Sequence, residues 1–232
     1  MKIKAAFYKS VLASLFLLPS LTWAGLPEAR AAFERGDYAT ALREYTFLAK
    51  QGDTEAQTRL GFMYAHGQGV AKNEREAVNW YRKAADQGFA DAQFNLGVMY
   101  ANGLGVAKDE REAVSWYRKA ADQGFADAQS NLGVMYTDGR GVAKNEREAV
   151  NWFRKAADKG FAKAQFNLGL MYAKGQGVAK DDRQAYFWLL HASAQGDEDA
   201  KRDRDVIERK LTPAQRAAAQ ADARAWKPVT SP

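Results

Sequence analysis

A chain of 232 residues that is 47% hydrophobic and 27% charged, with no cysteine, can bury a sizeable core, which excludes both disorder and a disulfide-stapled miniprotein. The missing cysteine also removes zinc-finger and thiol-nucleophile chemistry. The formal net charge of +6 includes Lys2, Lys4 and Lys9 of an N-terminal export-like segment. Without them, 31 basic residues face 28 acidic ones, and +3 is too balanced to argue for a nucleic-acid partner.

The first residues, MKIKAAFYKSVLASLFLLPSLTWAG, combine a basic start, an apolar stretch from Val11 to Leu18, a break at Pro19, and small residues at Thr22 and Ala24. This is the pattern of a signal peptide over residues 1–24, with cleavage expected after Ala24. Only 14 residues separate Val11 from Ala24, against the ~20 apolar residues of a membrane-spanning helix. No cysteine is present for lipoprotein acylation. The expected mature protein therefore has no membrane insertion and is periplasmic or secreted.

An internal repeat organises the rest. Residues 56–91 and 92–127 are identical at 29 of 36 positions, and residues 92–127 and 128–163 at 27. A fixed period of this kind predicts a solenoid. Leu60, Leu96, Leu132 and Leu168 are in phase, as are Trp80, Trp116, Trp152 and Trp188, so four units cover residues 56–91, 92–127, 128–163 and 164–199. Residues 25–55 read as a degenerate first unit, since Ala41, Tyr45, Ala49 and Gly52 stand one period before Ala77, Tyr81, Ala85 and Gly88.

Each unit carries two helical periodicities. Ala92, Leu96, Met99 and Tyr100 define a helix A, and Ala113, Trp116, Tyr117, Ala120 and Ala121 a helix B. Helix A is expected to stop at Asn102-Gly103. Helix B is expected to start on a capping box: Asn73 with Glu76, Asp109 with Glu112, Asn145 with Glu148, Asp181 with Gln184. Gly61, Gly97, Gly133 and Gly169 fall inside helix A, where glycine costs about 1 kcal/mol relative to alanine; close approach of helix B is the expected compensation. The in-phase tryptophans are expected to fill the space between units. Residues 200–232 read as C-terminal capping helices and tail: DEDAKRDRDVIERKL forms one more A-like helix, and Thr212-Pro213 starts an alanine-rich helix. This end holds 8 basic and 4 acidic residues, a polar outer face of the sort a solenoid end requires.

The run AQFNLGVMYANGLGVAKDEREAVSWYRKAADQG, from Ala92 to Gly124, resembles the Sel-one-like repeat (SLR) family, relatives of the tetratricopeptide repeats. The resemblance is close over residues 56–200 and loose over 26–55. It implies an all-α, right-handed α/α superhelical solenoid with a concave surface of A helices, and a role as adaptor or scaffold. Cysteine-rich Helicobacter relatives have been described as penicillin-binding or β-lactamase-like hydrolases. They carry paired cysteines in each repeat, which this chain lacks.

No catalytic constellation stands out. His66 and His191 are the two histidines, and HExxH, GxSxG and GxxxxGK[ST] are absent. No cofactor is implied. The glycines of the HGQGVAK loop recur in every unit and read as a helix-to-helix turn. What does vary between units is one stripe of helix A: Thr58, Phe94, Ser130 and Phe166; then Phe62, Val98, Val134 and Leu170; then His66, Asn102, Asp138 and Lys174. Arg59, Asn95, Asn131 and Asn167 flank it. The expected partner is a protein or peptide lying across this stripe, with Phe94 and Phe166 as exposed anchors. Drift after duplication is the competing account of the variation, and an envelope glycan is the alternative ligand.

Overall fold

The computed structural model describes residues 25–229; the signal-peptide reading of residues 1–24 lies outside the described residues. Twelve α-helices and no strand make up what is described. The degenerate first pair is α1 (Leu26–Glu34) and α2 (Tyr38–Lys50). Four near-identical pairs follow: α3 (Thr54–His66) with α4 (Glu74–Asp86), α5 (Ala90–Asn102) with α6 (Glu110–Asp122), α7 (Ala126–Asp138) with α8 (Glu146–Asp158), and α9 (Ala162–Lys174) with α10 (Asp182–Ala194). The helices α11 (Glu198–Glu208) and α12 (Pro213–Ala225) close the C-terminal end. Consecutive helices from α1 to α11 pack on one another and α12 packs back on α10, giving the all-α solenoid that the repeat implies. Each helix A starts two residues before the in-phase alanine that marks the period.

Local sequence sets the helix ends. Helix α5 stops where Gly103 takes the left-handed conformation (φ 70°, ψ 35°). Helix α4 ends in a Schellman motif: the Phe89 amide donates to the Ala84 carbonyl and the Gly88 amide to the Ala85 carbonyl. The helix B starts differ from expectation. Asn73 Oδ1 does accept from the Glu76 amide at 3.1 Å, but the return bond of a capping box is not made. The Asn73 amide instead donates to the Tyr64 carbonyl at 2.8 Å, and Asp109, Asn145 and Asp181 repeat this with Tyr100, Tyr136 and Tyr172. The donor that a capping glutamate would satisfy is thus spent on tying the loop to helix A. The full reciprocal box occurs at Thr212 and Gln215.

Within a unit the helix A glycines admit the residue after each tryptophan. A Cβ built on Gly97 would lie 2.7 Å from the Tyr117 ring, and the same holds for Gly133 against Phe153 at 2.7 Å. The tryptophans serve the contact between units: Trp116, 7% exposed, belongs to a cluster otherwise built from Ala77, Val78, Tyr81, Ala84 and Ala85 of the preceding unit and Ala92, Leu96 and Met99 of its own helix A. Trp80 is only half-buried.

Three further ties recur with the period. Arg82, Arg118 and Arg154 donate to the hydroxyls of Tyr100, Tyr136 and Tyr172 in the next unit. Buried glutamines form a second tie: Gln93 Nε2 donates to the Ala85 carbonyl at 3.2 Å, while Gln123 Nε2 of the next helix B donates to Gln93 Oε1 at 2.8 Å and to the Gly88 carbonyl at 2.9 Å. Thirdly, each interhelix loop rests on the first turn of the preceding helix B, with Gly105 against Glu74 and Gly141 against Glu110.

The C-terminal cap closes on the last unit through aromatic rings. Trp226 lies 4.3 Å from His191 and 6.1 Å from Trp188, centroid to centroid. Units two to four place Lys83, Lys119 and Lys155 over their tryptophans at this position; in the last unit His191 and Trp226 take that place. Burial pushes the His191 imidazole below its usual range, since the charged form is disfavoured among these rings. A depressed folded-state value means that the stabilisation is complete above the unfolded value of about 6.5 and is lost as pH falls below it, because the unfolded chain then binds the extra proton. The protection factors of α12 amides, which are corrected for the intrinsic pH dependence of exchange, should fall between pH 7.5 and pH 5, and His191→Phe should abolish the difference. Protection factors that are independent of pH in the native chain would overturn this account.

Candidate binding groove on the A helices

The varying stripe is divided by exposure. Thr58 and Ser130 are buried, at 8% and 1%, and the Thr58 hydroxyl donates to the Thr54 carbonyl at 2.8 Å. Phe94 and Phe166, expected as exposed anchors, are half-buried against the core. The Phe94 ring is 5.8 Å from Tyr117 and 5.2 Å from Phe125. The reason is the glycine one turn on: Gly97 draws Tyr117 against helix A, and Phe94 gains apolar cover by leaning onto it instead of facing water. Phe62, Val98, Val134 and Leu170 are half-buried, as are Asn95, Asn131 and Asn167; Arg59 is exposed.

The stripe is brought into a groove between α3 and α5. Thr58, Arg59 and Phe62 of α3 and Asn95 of α5 line a cavity of about 420 Å³, together with Arg30, Glu55, Phe89 and Asp91. A second cavity of about 580 Å³ shares Phe62 and Asn95 and continues past His66, Val98 and Tyr81. The two form one trough along α3, within the size range of ligand sites. Larger open clefts lie where Glu74 faces Gly105 and Glu146 faces Gly177. Those clefts are built from sequence common to the units, so they are seams of the stack.

Aromatic side chains make one wall. Phe62 stacks on His66 at 4.1 Å and 21°, and the edge of Phe33 from α1 meets Phe62 at 6.1 Å. The charges are unequal in their commitments. Arg30 donates through Nε and Nη2 to both carboxylate oxygens of Glu55, joining α1 to α3, and this hydrogen bonding holds the Arg30 guanidinium above its usual range. Arg59 makes no hydrogen bond or ion pair among the described residues. Burial raises the Tyr81 phenol well above its usual range, with Arg59 pulling weakly the other way. Its counterpart Tyr117 is pushed up to about 12 by burial, which a hydrogen bond with Asn131 offsets in part. Both hydroxyls therefore stay protonated.

Arg30, Glu55, Phe89 and Asp91 escape a reading of the sequence by unit comparison. Arg30 lies in the degenerate unit, where no counterpart reveals it. Glu55 and Asp91 stand at one phase with Asp127 and Lys163, just outside the boundaries drawn from the alanines. No group of three or more His, Asp or Glu side chains that could hold a metal ion occurs among the described residues, and no described helix is long and apolar enough to cross a membrane. The trough offers a free guanidinium, the side-chain amide of Asn95 and an aromatic wall, which is equipment for holding an extended chain.

Amphipathic helix pairs stacked in sequence, with a trough along the A helices, define an α/α solenoid. The Sel1 repeat model matches residues 54–89, 90–125, 126–161 and 162–197. The chain belongs to the Sel1 repeat family, whose members are generally protein-interaction scaffolds. A Sel1 repeat protein from Oxalobacter formigenes is 39% identical, with a TM-score of 0.72 over 77% of this chain and 73% of that one. The protein c5321, a protective antigen of uropathogenic Escherichia coli displaying an SLR fold, is 34% identical, with a TM-score of 0.51 over 82% of this chain and 48% of that one. The immunity protein Pa5087 of Pseudomonas aeruginosa shares the fold at 22% identity, with a TM-score of 0.52 over 76% and 69% of the two chains. No curated protein matches the chain.

Proposed function

We propose that this protein is a non-catalytic scaffold, periplasmic or secreted, which binds a protein partner through a peptide segment laid in the α3–α5 trough. One observation carries the reading. Of the five positions at which the first full unit departs from both of the next two, four, namely Thr58, Arg59, Phe62 and His66, line this trough, and the fifth, Gln68, lies in the interhelix loop. Drift at exposed sites would scatter such changes around the helix. His66 supports a role in binding, since it is stacked on Phe62 in the wall of the trough. The commitment of Phe94 to Tyr117 and Phe125 argues against a sugar-stacking platform and so favours the peptide over the glycan. Export rests on the signal pattern of residues 1–24.

A photo-crosslinking residue placed at Phe62 should capture a partner in living cells, whereas the same residue at exposed Arg75, on helix B, should not. Equal capture from both positions, or none from Phe62, would count against the trough. Intact mass should show a mature chain beginning at Gly25; a chain retaining Met1 would remove the export assignment.

A further inference from the structure

The trough at α3 and α5 holds a guanidinium that a stack of packed repeats does not require. Arg30 and Glu55 neutralise each other at one end, through a bidentate pair that joins α1 to α3. Arg59 sits one turn further along α3, exposed and without a hydrogen-bonding or ionic partner among the described residues. The equivalent positions in the other units are Asn95, Asn131 and Asn167, so the free guanidinium is particular to this end of the stack.

Building on the peptide-scaffold reading, we propose that the α3–α5 trough binds the C-terminus of an extended peptide, with Arg59 taking the terminal carboxylate and Phe62 the side chain of the last residue. An arginine fork matches a carboxylate through two parallel hydrogen bonds. Arg59 and Phe62 are three residues apart on one helix face, where Cβ atoms lie about 5–6 Å from each other. A C-terminal residue sends its carboxylate and its side chain in different directions from a single Cα, a spread of that order. Asn95, on the facing helix and shared by both cavities, is placed to bond the peptide backbone.

The surroundings select among anions. Asp91 lines the same cavity from the first turn of α5, and its charge disfavours a phosphate or a run of acidic side chains, while a single carboxylate is matched by Arg59. The Arg30–Glu55 bridge spans α1 and α3 one turn before Arg59, which suits a chain that ends there over one that passes through. Phe62 and Phe89 supply apolar wall to a cavity of about 420 Å³.

The test uses the purified full chain and a pool of randomised hexapeptides labelled at the N-terminus with fluorescein, synthesised once with free carboxylate ends and once with carboxamide ends. Peptides enriched on the protein are resynthesised and titrated by fluorescence polarisation. The free-acid pool should be the one that enriches, amidation of a selected peptide should weaken binding at least tenfold, and Arg59→Gln should weaken the free acid by a similar factor while leaving the amide unchanged. Arg59 is exposed, so the variant should melt as the native chain does. Selected peptides that bind equally as acid and amide, or acid binding unaffected by Arg59→Gln, would overturn the carboxylate assignment and leave the trough as a peptide site. Enrichment of amide-ended peptides carrying internal Asp or Glu would overturn the terminal assignment in particular. Enrichment from neither pool would overturn the peptide-scaffold reading as well.

Discussion

Trp116→Ala is expected to cost about 3–5 kcal/mol of folding stability, the range for deleting a buried aromatic side chain. The ring is 7% exposed and fills the contact between two units, so its loss opens a cavity that the backbones on either side cannot close. Lys119 adds a smaller contribution, its ammonium 3.7 Å above the ring; such contacts are worth about 0.5–1 kcal/mol at exposed sites. The indole N–H is buried and finds no partner among the described residues. Trp116→Phe therefore breaks no hydrogen bond within the chain and should cost well under half as much as the alanine change. Trp80→Ala, at the same phase but half-buried, should fall between the two. Lys108→Ala, on the loop, should stay within about 0.5 kcal/mol. Denaturant melts compare the four directly, and equal small losses for Trp116→Ala and Lys108→Ala would show that the tryptophan does not hold the units together.

The fold was legible because the period repeats its own evidence. In-phase leucines, tryptophans and glycines give the helix pairs, their order and their ends, and the structure adjusts the unit boundary by two residues. What escaped were interactions between positions whose roles appear only in three dimensions. Gln93 and Gln123 stand 30 residues apart and read as ordinary polar positions, yet one is buried and the other bridges to it. The helix B caps looked reciprocal because Asn73 and Glu76 have the right spacing, but the Tyr64 carbonyl competes for the Asn73 amide and wins. For the binding face, periodicity located the helix and the variation located the stripe. Neither distinguished Phe94, folded onto Tyr117, from Arg59, which reaches water. Variation between units marks where packing tolerates change, and burial decides which of those places a ligand can touch.

Gly141→Ala is expected to cost about 2–5 kcal/mol and to loosen one joint of the solenoid. Two penalties combine at this residue. Its backbone is left-handed, with φ at +66°, a conformation that costs an L-residue with a side chain about 1–2 kcal/mol. In addition, a Cβ there would lie 2.1 Å from the Glu110 carbonyl oxygen and 2.4 Å from its carbon, so the loop of one unit must lift off the helix B of the unit before it; overpacking of this kind costs typically about 1–3 kcal/mol. Gly88→Ala separates the two contributions: its φ is +91° but nothing lies within 4 Å of the added carbon, so that variant should show the backbone strain alone. Arg140→Ala controls for the neighbouring ion pair. Arg140 bonds Glu110 at 2.8 Å and, followed by Lys108, holds that carboxyl below its usual range, yet the pair is open to solvent, so the loss should be smaller than that of Gly88→Ala and shrink with added salt. Because a solenoid's stability is a sum of unit and nearest-neighbour contributions, weakening the joint between α6 and the following loop should broaden the denaturant transition or split it in two, with hydrogen exchange rising first in α7. A Gly141→Ala loss no larger than that of Gly88→Ala, with a single sharp transition, would mean that the loops merely pass over the preceding helices and that the tryptophans and the Arg–Tyr and Gln–Gln ties couple the units without them.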